Sequence, residues 1–370
     1  MLNNGDGGNT GGRGVHVASP WQCSSDLVVA VLLFGATRDV THTHASHARN
    51  VIEPLEAYWS GARGGAVGSV VDVFIHAMMM PAVHNPRAGE LGKASFRPET
   101  FLALGPACRY QAEDQDNVDL FELPKYGVMD GKQAATRNTS DDSSLLMTRA
   151  NSYRAFYSLH RAAQMARAHE LVRRSRYRFV CAVRSDMAVY TSLTPALVEL
   201  VKLAKTSIAN ASIVVPNYNH WLGLNDRFAI GHRDVMFDVY AARLLLASEE
   251  KLQVMGERGN TESFLCRILK NAKAYVLLMD ICVVRVRSNG RCVHSDMIHT
   301  VEPERSCLAN GIYSQLGVVV GRPSNGSSRP CGASECSGNQ CDANKCKSNP
   351  HLCRVSPLGT TVCPSEEGMP

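Results

Sequence analysis

The eight residues LVVAVLLF at positions 27–34 are closed by Gly35. An unbroken run of branched apolar side chains marks a strand buried on both faces, because a half-solvated strand would alternate with polar residues. The segment SVVDVFIH at 69–76 has the same character. Between the two, residues 43–58 carry apolar positions at helical spacing. Strand, helix and strand in about fifty residues make a βαβ unit. A third buried strand, FVCAV at 179–183, runs directly into Arg184-Ser185-Asp186. The predicted class is therefore α/β, with a mostly parallel sheet flanked by helices.

Working outward, residues 1–25 are Gly- and Asn-rich with little to bury and read as a disordered leader. From 80 to 144 the periodicity gives way to Pro, Gly and acidic residues, which predicts an irregular stretch, either a functional loop or a family-specific insertion. Helices are expected at 145–174, 194–205, 233–247 and 261–271. Further strands are expected at 212–215 and 274–279, and an extended piece at 282–287. A Gly-bounded loop at 219–225 precedes Asp226-Arg227-Phe228. The expected organisation is one domain over 26–322, followed by a linker and a Cys-rich tail over 323–370.

The chain has 370 residues, 45% hydrophobic and 20% charged. That balance excludes a largely disordered chain, a collagen and a simple coiled coil. A net charge of +5 is too mild to mark a nucleic-acid partner, for which a clustered basic face is the sign. The basic helix over 149–178, with Tyr153, Phe156 and Tyr157 as its apolar stripe, reads as a solvated face. Six of the thirteen cysteines, Cys331 to Cys363, lie in the last forty residues. Their even spacing suits a small disulfide-stapled appendage; zinc binding in a reducing compartment and plain low complexity stay open. No secretory signal is visible, and the apolar run 27–36 is well short of the ~20 residues that span a bilayer, so no membrane span is expected. The cysteines and the N-x-S sequons at Asn138, Asn210 and Asn325 point to a Golgi or ER lumen, whereas a chain without an upstream anchor would be cytoplasmic.

Ligands of open α/β sheets bind beyond the carboxyl ends of the strands. Here the first strand continues to Arg38 and Asp39, the second ends at His76, and the third ends at Arg184-Ser185-Asp186. A carboxylate in such a place can hold a divalent cation, and an arginine beside it can grip phosphate oxygens. An Arg–Asp ion pair that merely closes a loop accounts for the same residues. Asp226 is either a turn-forming residue or a base, and Glu262 either a first-turn carboxylate favoured by the helix dipole or a second acid. The run Thr41-His42-Thr43-His44 with His47 lacks carboxylate or Cys partners and is weak evidence for a metal site.

Six segments carry a resemblance: FGATR (34–38), DVFIH (72–76), SYRAFYSLHRA (152–162), YRFVCAVRSDMAVY (177–190), VPNYNHWLGLNDRFAIG (215–231) and TES (261–263). Together they resemble a family of glycosyltransferases found in algae, plants, large viruses and bacterial surface-polysaccharide loci, with the WavE-type lipopolysaccharide-synthesis proteins as similar relatives. The resemblance spans about 27–290. It implies a nucleotide-diphospho-sugar transferase fold of the GT-A, Rossmann-like kind, and a glycan, polysaccharide or glycoprotein acceptor. It places Asp186 where such enzymes carry an Asp-x-Asp metal motif, so that a divalent cation (Mn or Mg) would sit there. The first Asp of that motif is replaced by Arg184, which could itself neutralise a diphosphate. Before Asn-Asp-Arg-Phe, where the family reads Gly-Gly, this chain has Leu222-Gly223-Leu224. The implied roles are Arg38, Arg184, Asp186, Asn225 and Arg227 on the donor, Asp226 as catalytic base and Glu262 as a second candidate. The single strand-end Asp also leaves room for a catalytically inactive nucleotide- or glycan-binding protein of the same fold.

Overall fold

The computed structural model describes residues 28–36, 40–62, 69–80, 83–85, 90–92, 107–126, 142–205, 211–217, 223–249, 261–287, 290, 292–293, 354–355 and 361–362. Seven strands form one sheet: β1 (Val29–Ala36), β2 (Val71–Met79), β3 (Ala107–Asp114), β4 (Phe179–Arg184), β6 (Ser212–Pro216), β7 (Phe228–His232) and β8 (Tyr275–Met279). Their order across the sheet is β8-β6-β7-β4-β1-β2-β3. Neighbours pair in parallel except at β7, which is antiparallel to both β4 and β6. A short β5 (Met187–Val189) pairs antiparallel with β9 (Val283–Arg285) beside the sheet.

β1 shows why both faces must be covered. Ala30, Leu32 and Phe34 point into one core, and Val29, Val31 and Leu33 into the other. The first core is closed by α2 (Asp142–Arg173), α5 (Arg243–Glu249) and α6 (Thr261–Asn271). The second is closed by α1, which runs from His44–His47 through a π turn at Ala48–Ile52 into Glu53–Ala62, and by α3 (Thr194–Leu203). All six residues of β1 from Val29 to Phe34 are essentially inaccessible. Each buried Val, Leu or Phe contributes about 1.5–3 kcal/mol, so this strand anchors the fold. Tyr153, Phe156 and Tyr157 are buried along α2 as the sequence suggests. Cys181 is a buried thiol in β4, whereas Cys108, Cys266 and Cys282 are disulfide-bonded.

Several elements differ from the sequence reading, β5 among them, for no strand is expected at 187–189. The stretch expected to be irregular over 80–144 contains β3, the edge strand of the sheet, followed by helical turns at Gln115–Asn117, Val118–Glu122 and Leu123–Tyr126. β7 stands where no strand is expected. The single helix expected over 233–247 is broken: α4 (Arg233–Val235) passes into a π turn at Met236–Tyr240, and the chain restarts as α5 at Arg243. The leader and the linker at 322–330 lie outside the described residues, as do the tail cysteines.

Candidate functional site

The register across the strand ends reads Gln111, His76, Phe34, Arg184. β1 leaves this row through Gly35 at φ +112°, a backbone conformation that suits glycine. The Gly35 N–H donates to Ser158 Oγ of α2 at 2.7 Å. Beside it, the Ser185 N–H donates to the Phe34 carbonyl at 2.8 Å, and Ser185 Oγ to the Ala36 carbonyl at 3.2 Å. The strand ends of β1 and β4 are thereby locked together.

The segment from Thr43 into α1 fastens the far side of the same turn. Thr43 Oγ1 donates to the Ser185 carbonyl at 2.7 Å, and His47 Nε2 to the Met187 carbonyl at 2.6 Å. Ser46 Oγ accepts from the Val189 N–H, and Asn50 Nδ2 donates to the Val189 carbonyl. Burial pushes the His47 pKa down to about 4, so the ring is neutral and serves as a hydrogen-bonding strut.

Within the turn, Arg184 Nη2 lies 2.7 Å from Asp186 Oδ2. Asp186 is almost wholly buried, whereas the Arg184 side chain is 25% exposed. The Arg184 N–H also donates to the Arg227 carbonyl at 3.2 Å, which ties the turn to the Asn-Asp-Arg-Phe loop.

That loop is built by two local devices. Asn225 Oδ1 accepts from the Arg227 N–H at 3.1 Å, so the buried Asn225 shapes the turn. Gly223 rests on the first turn of α6: a Cβ there would lie 1.9 Å from the Glu262 carbonyl carbon. The Leu224 N–H donates to the Glu262 carbonyl at 3.0 Å, so only a glycine permits this approach. Asp226 Oδ2 lies 3.2 Å from Arg243 Nη1, and the Asp226 carbonyl accepts from Tyr240 Oη at 2.7 Å. Arg243 is 1% exposed; its guanidinium packs on the Tyr240 and Phe156 rings and its Nε donates to the Tyr240 carbonyl. Glu262 Oε1 is 4.0 Å from Arg227 Nη2, and its Oε2 accepts from Thr261 Oγ1. Burial, followed by the charge of Asp226, pushes the Glu262 pKa up to about 7 against the pull of Arg227.

A third network backs the strand ends. Ser158 Oγ, besides holding Gly35, bonds His76 Nδ1 at 2.8 Å and donates to the His76 carbonyl. His76 Nε2 faces Glu113 Oε1 at 3.4 Å. Glu113 also accepts from Tyr157 Oη, Arg161 Nε and Gln111 Nε2. Burial lowers the His76 pKa, and so favours its neutral form.

Of the residues singled out by sequence, the structure therefore brings Arg184, Asp186, Asn225, Asp226, Arg227 and Glu262 into one connected cluster. Arg38 lies outside the described residues. Arg243, Ser158, His76 and Glu113 belong to the cluster or its backing, and of these the sequence drew attention only to His76. Arg243 had one readable sign, a lone cation among Tyr240, Leu244 and Ala247 on an otherwise apolar face.

The fit of a divalent cation can be judged from the donor set. Among the described residues no group of three or more His, Cys, Asp or Glu side chains converges. Asp186 offers one carboxylate, with Arg184 already on Oδ2. A hard divalent ion takes six or more oxygens and is opposed by an adjacent guanidinium, so these residues do not fit a resident cation.

No protein-family model and no curated protein sequence matches the chain. Among solved structures, mouse xyloside xylosyltransferase 1 aligns at 9% identity and a TM-score of 0.32, over 67% of this chain and 82% of that one. The mannosyltransferase Ktr4p of S. cerevisiae aligns at 9% identity and a TM-score of 0.34, over 84% of this chain and 86% of that one. The bifunctional glycosyltransferase WbbM aligns at 9% and 0.26, over 73% of this chain and 40% of that one.

Proposed function

We propose that the protein transfers a sugar from a nucleotide-diphosphate donor to a hydroxyl of a glycan, polysaccharide or glycoprotein. The observation that carries this reading is the joining of the β4 strand end to the Asn-Asp-Arg-Phe loop and the start of α6. It assembles two arginines and three carboxylates at the carboxyl ends of the strands. The sequence resemblance over 27–290 rests on these same segments.

In the proposed reaction the acceptor oxygen bonds to the anomeric carbon while the bond from that carbon to the diphosphate oxygen breaks. The electron pair leaves with the diphosphate, and the partly exposed Arg184 guanidinium meets its charge, with Arg227 and Arg38 as further donor contacts. Asp186 holds Arg184 in place and is freed toward the donor ribose when Arg184 turns to phosphate. The acceptor proton goes to Glu262, whose pKa near 7 suits a base at neutral pH. Asp226 raises the proton affinity of Glu262 and is itself engaged by Arg243, which reverses the order of the two candidates expected from sequence. The disulfide-bonded Cys108, Cys266 and Cys282 support an oxidising compartment.

Thermal-shift titration with UDP- and GDP-sugars, with and without manganese, followed by a donor-hydrolysis assay, tests this reading. The expected result is donor binding that survives chelation, and turnover that is abolished in Asp186→Asn at an unchanged thermal midpoint. Full activity in Asp186→Asn would overturn the site. Binding without turnover would instead favour a non-catalytic nucleotide-binding protein of the same fold.

A further inference from the structure

We infer that the end of the molecule opposite the strand-end cluster is a docking surface for an anionic lipid bilayer. Helix α2 runs from one end of the sheet to the other: Ser158 bonds the carboxyl ends of β1 and β2, while His169 reaches Asp72 near the start of β2. From Ser158 to Leu171 the axial rise is about 20 Å. At that far end the chain reads Leu-Val-Arg-Arg-Ser-Arg-Tyr-Arg over 171–178, with four arginines and no acid. Leu171 is 80% exposed and Val172 69%. Arg173, Arg174, Arg176 and Arg178 are exposed too.

The helix stops here because Arg174 takes φ +51°, and the Ser175 N–H returns to the Glu170 carbonyl at 3.2 Å. Cations at a helix C-terminus complement its dipole, which accounts for Arg173 and Arg174. The dipole does not account for two bare aliphatic side chains on the same turn. Nearby acids are already engaged. Glu170 receives Arg233 at 2.7 Å, Asp72 receives Tyr177 Oη at 2.7 Å, and Asp238 pairs with Arg167. The positive field of the surface is carried by Arg174, Arg176 and Arg178.

Exposed aliphatic residues followed directly by exposed arginines match the boundary of a bilayer, where the apolar pair enters the acyl region and the guanidinium groups meet anionic headgroups. A polyanionic glycan or a nucleic acid would engage the arginines but leave Leu171 and Val172 in water. Among the described residues no helix is long and apolar enough to cross a membrane, so this contact is peripheral. β1 begins at the same end, where the Arg178 and Phe179 N–H groups both donate to the Val28 carbonyl. Docked this way, the carboxyl ends of the strands face away from the bilayer.

Co-sedimentation with vesicles of phosphatidylcholine alone, and of phosphatidylcholine mixed with phosphatidylserine, reads the contact directly and needs no transferase activity. Wild type is expected to bind the mixed vesicles and not the neutral ones. Arg174→Glu with Arg176→Glu should weaken binding by about tenfold or more. Leu171→Ser with Val172→Ser should weaken it as well, and both double variants should keep the wild-type thermal midpoint. Failure of wild type to bind the anionic vesicles would overturn the proposal, as would unchanged binding by either double variant. Loss with the arginine pair alone, with heparin binding in its place, would assign the surface to a soluble polyanion.

Discussion

Helix α2 fastens both ends of the sheet, and its two attachments end differently. At Ser158 the hydrogen bonds pass from Gly35 through His76 to Glu113, and outward to Arg161, whose side chain is 33% exposed. At Glu170 they close on themselves: Arg233 clasps the carboxylate, the Tyr177 N–H adds a further bond, and Tyr177 Oη satisfies Asp72. The first arrangement leaves charged groups within reach of a ligand. The second is a clamp, and what remains exposed beyond it is a surface of arginines and aliphatics. Buried polar networks of similar richness thus end in exposed charge at one end of the sheet and in a closed clamp at the other.

The largest effect that would sharpen this contrast is expected at Arg243. Arg243→Met removes a buried guanidinium from Asp226, whose side chain is 12% exposed, at a cost of about 3 kcal/mol in urea unfolding. A loss under about 1 kcal/mol would show that the Asp226–Arg243 pair is not a buried ion pair in solution. Next comes Gly223→Ala. The added methyl cannot share space with the Glu262 backbone, so the loop must lift from α6, and turnover should fall by about 100-fold from misplacement. Equal turnover in the alanine variant would contradict the close approach. At the clamp, Tyr177→Phe should cost about 2 kcal/mol of stability while leaving kcat/KM untouched. A fall in kcat/KM at unchanged stability would erase the distinction between the two ends.

The smallest effect concerns a slope rather than a level. Glu262 has a folded pKa of about 7, raised from 4.5, so the native state holds a proton that the unfolded chain releases between those values. That contribution to stability is present at low pH and is lost as pH rises through about 7. Glu262→Gln should remove this slope and should also remove the rise of kcat/KM toward neutral pH. A profile that keeps both features would move the base to Asp226.

Much of this was legible in the residues. β1, β2 and β4 announce themselves because strands covered on both faces need continuous apolar runs, and the polar residues just past β4 mark the carboxyl end of the strands, where the proposed site lies. β3 was hidden because it is an edge strand: Gln111 and Glu113 alternate with Tyr110 and Ala112, and its flank follows the Pro- and Gly-rich stretch. β7, only five residues with Gly231 among them, is too short for periodicity to register. The break between α4 and α5 leaves the apolar pattern intact, so the lone cation on that face was the one sign that Arg243 turns inward, and it did not reveal the partner. A charge reads as solvent-facing until a partner such as Asp226, seventeen positions away, is placed beside it.

The contact between Gly223 and the Glu262 backbone also bears on motion. Two segments packed with no room for a single methyl cannot slide past each other, so the loop and the head of α6 behave as one mechanical part. Any closure on a substrate must carry Asp226, Arg227 and Glu262 together, with their mutual spacing preserved. The Arg184 N–H bond to the Arg227 carbonyl continues the β4–β7 ladder beside the Val183–Phe228 pair, so the β4 strand end belongs to the same part.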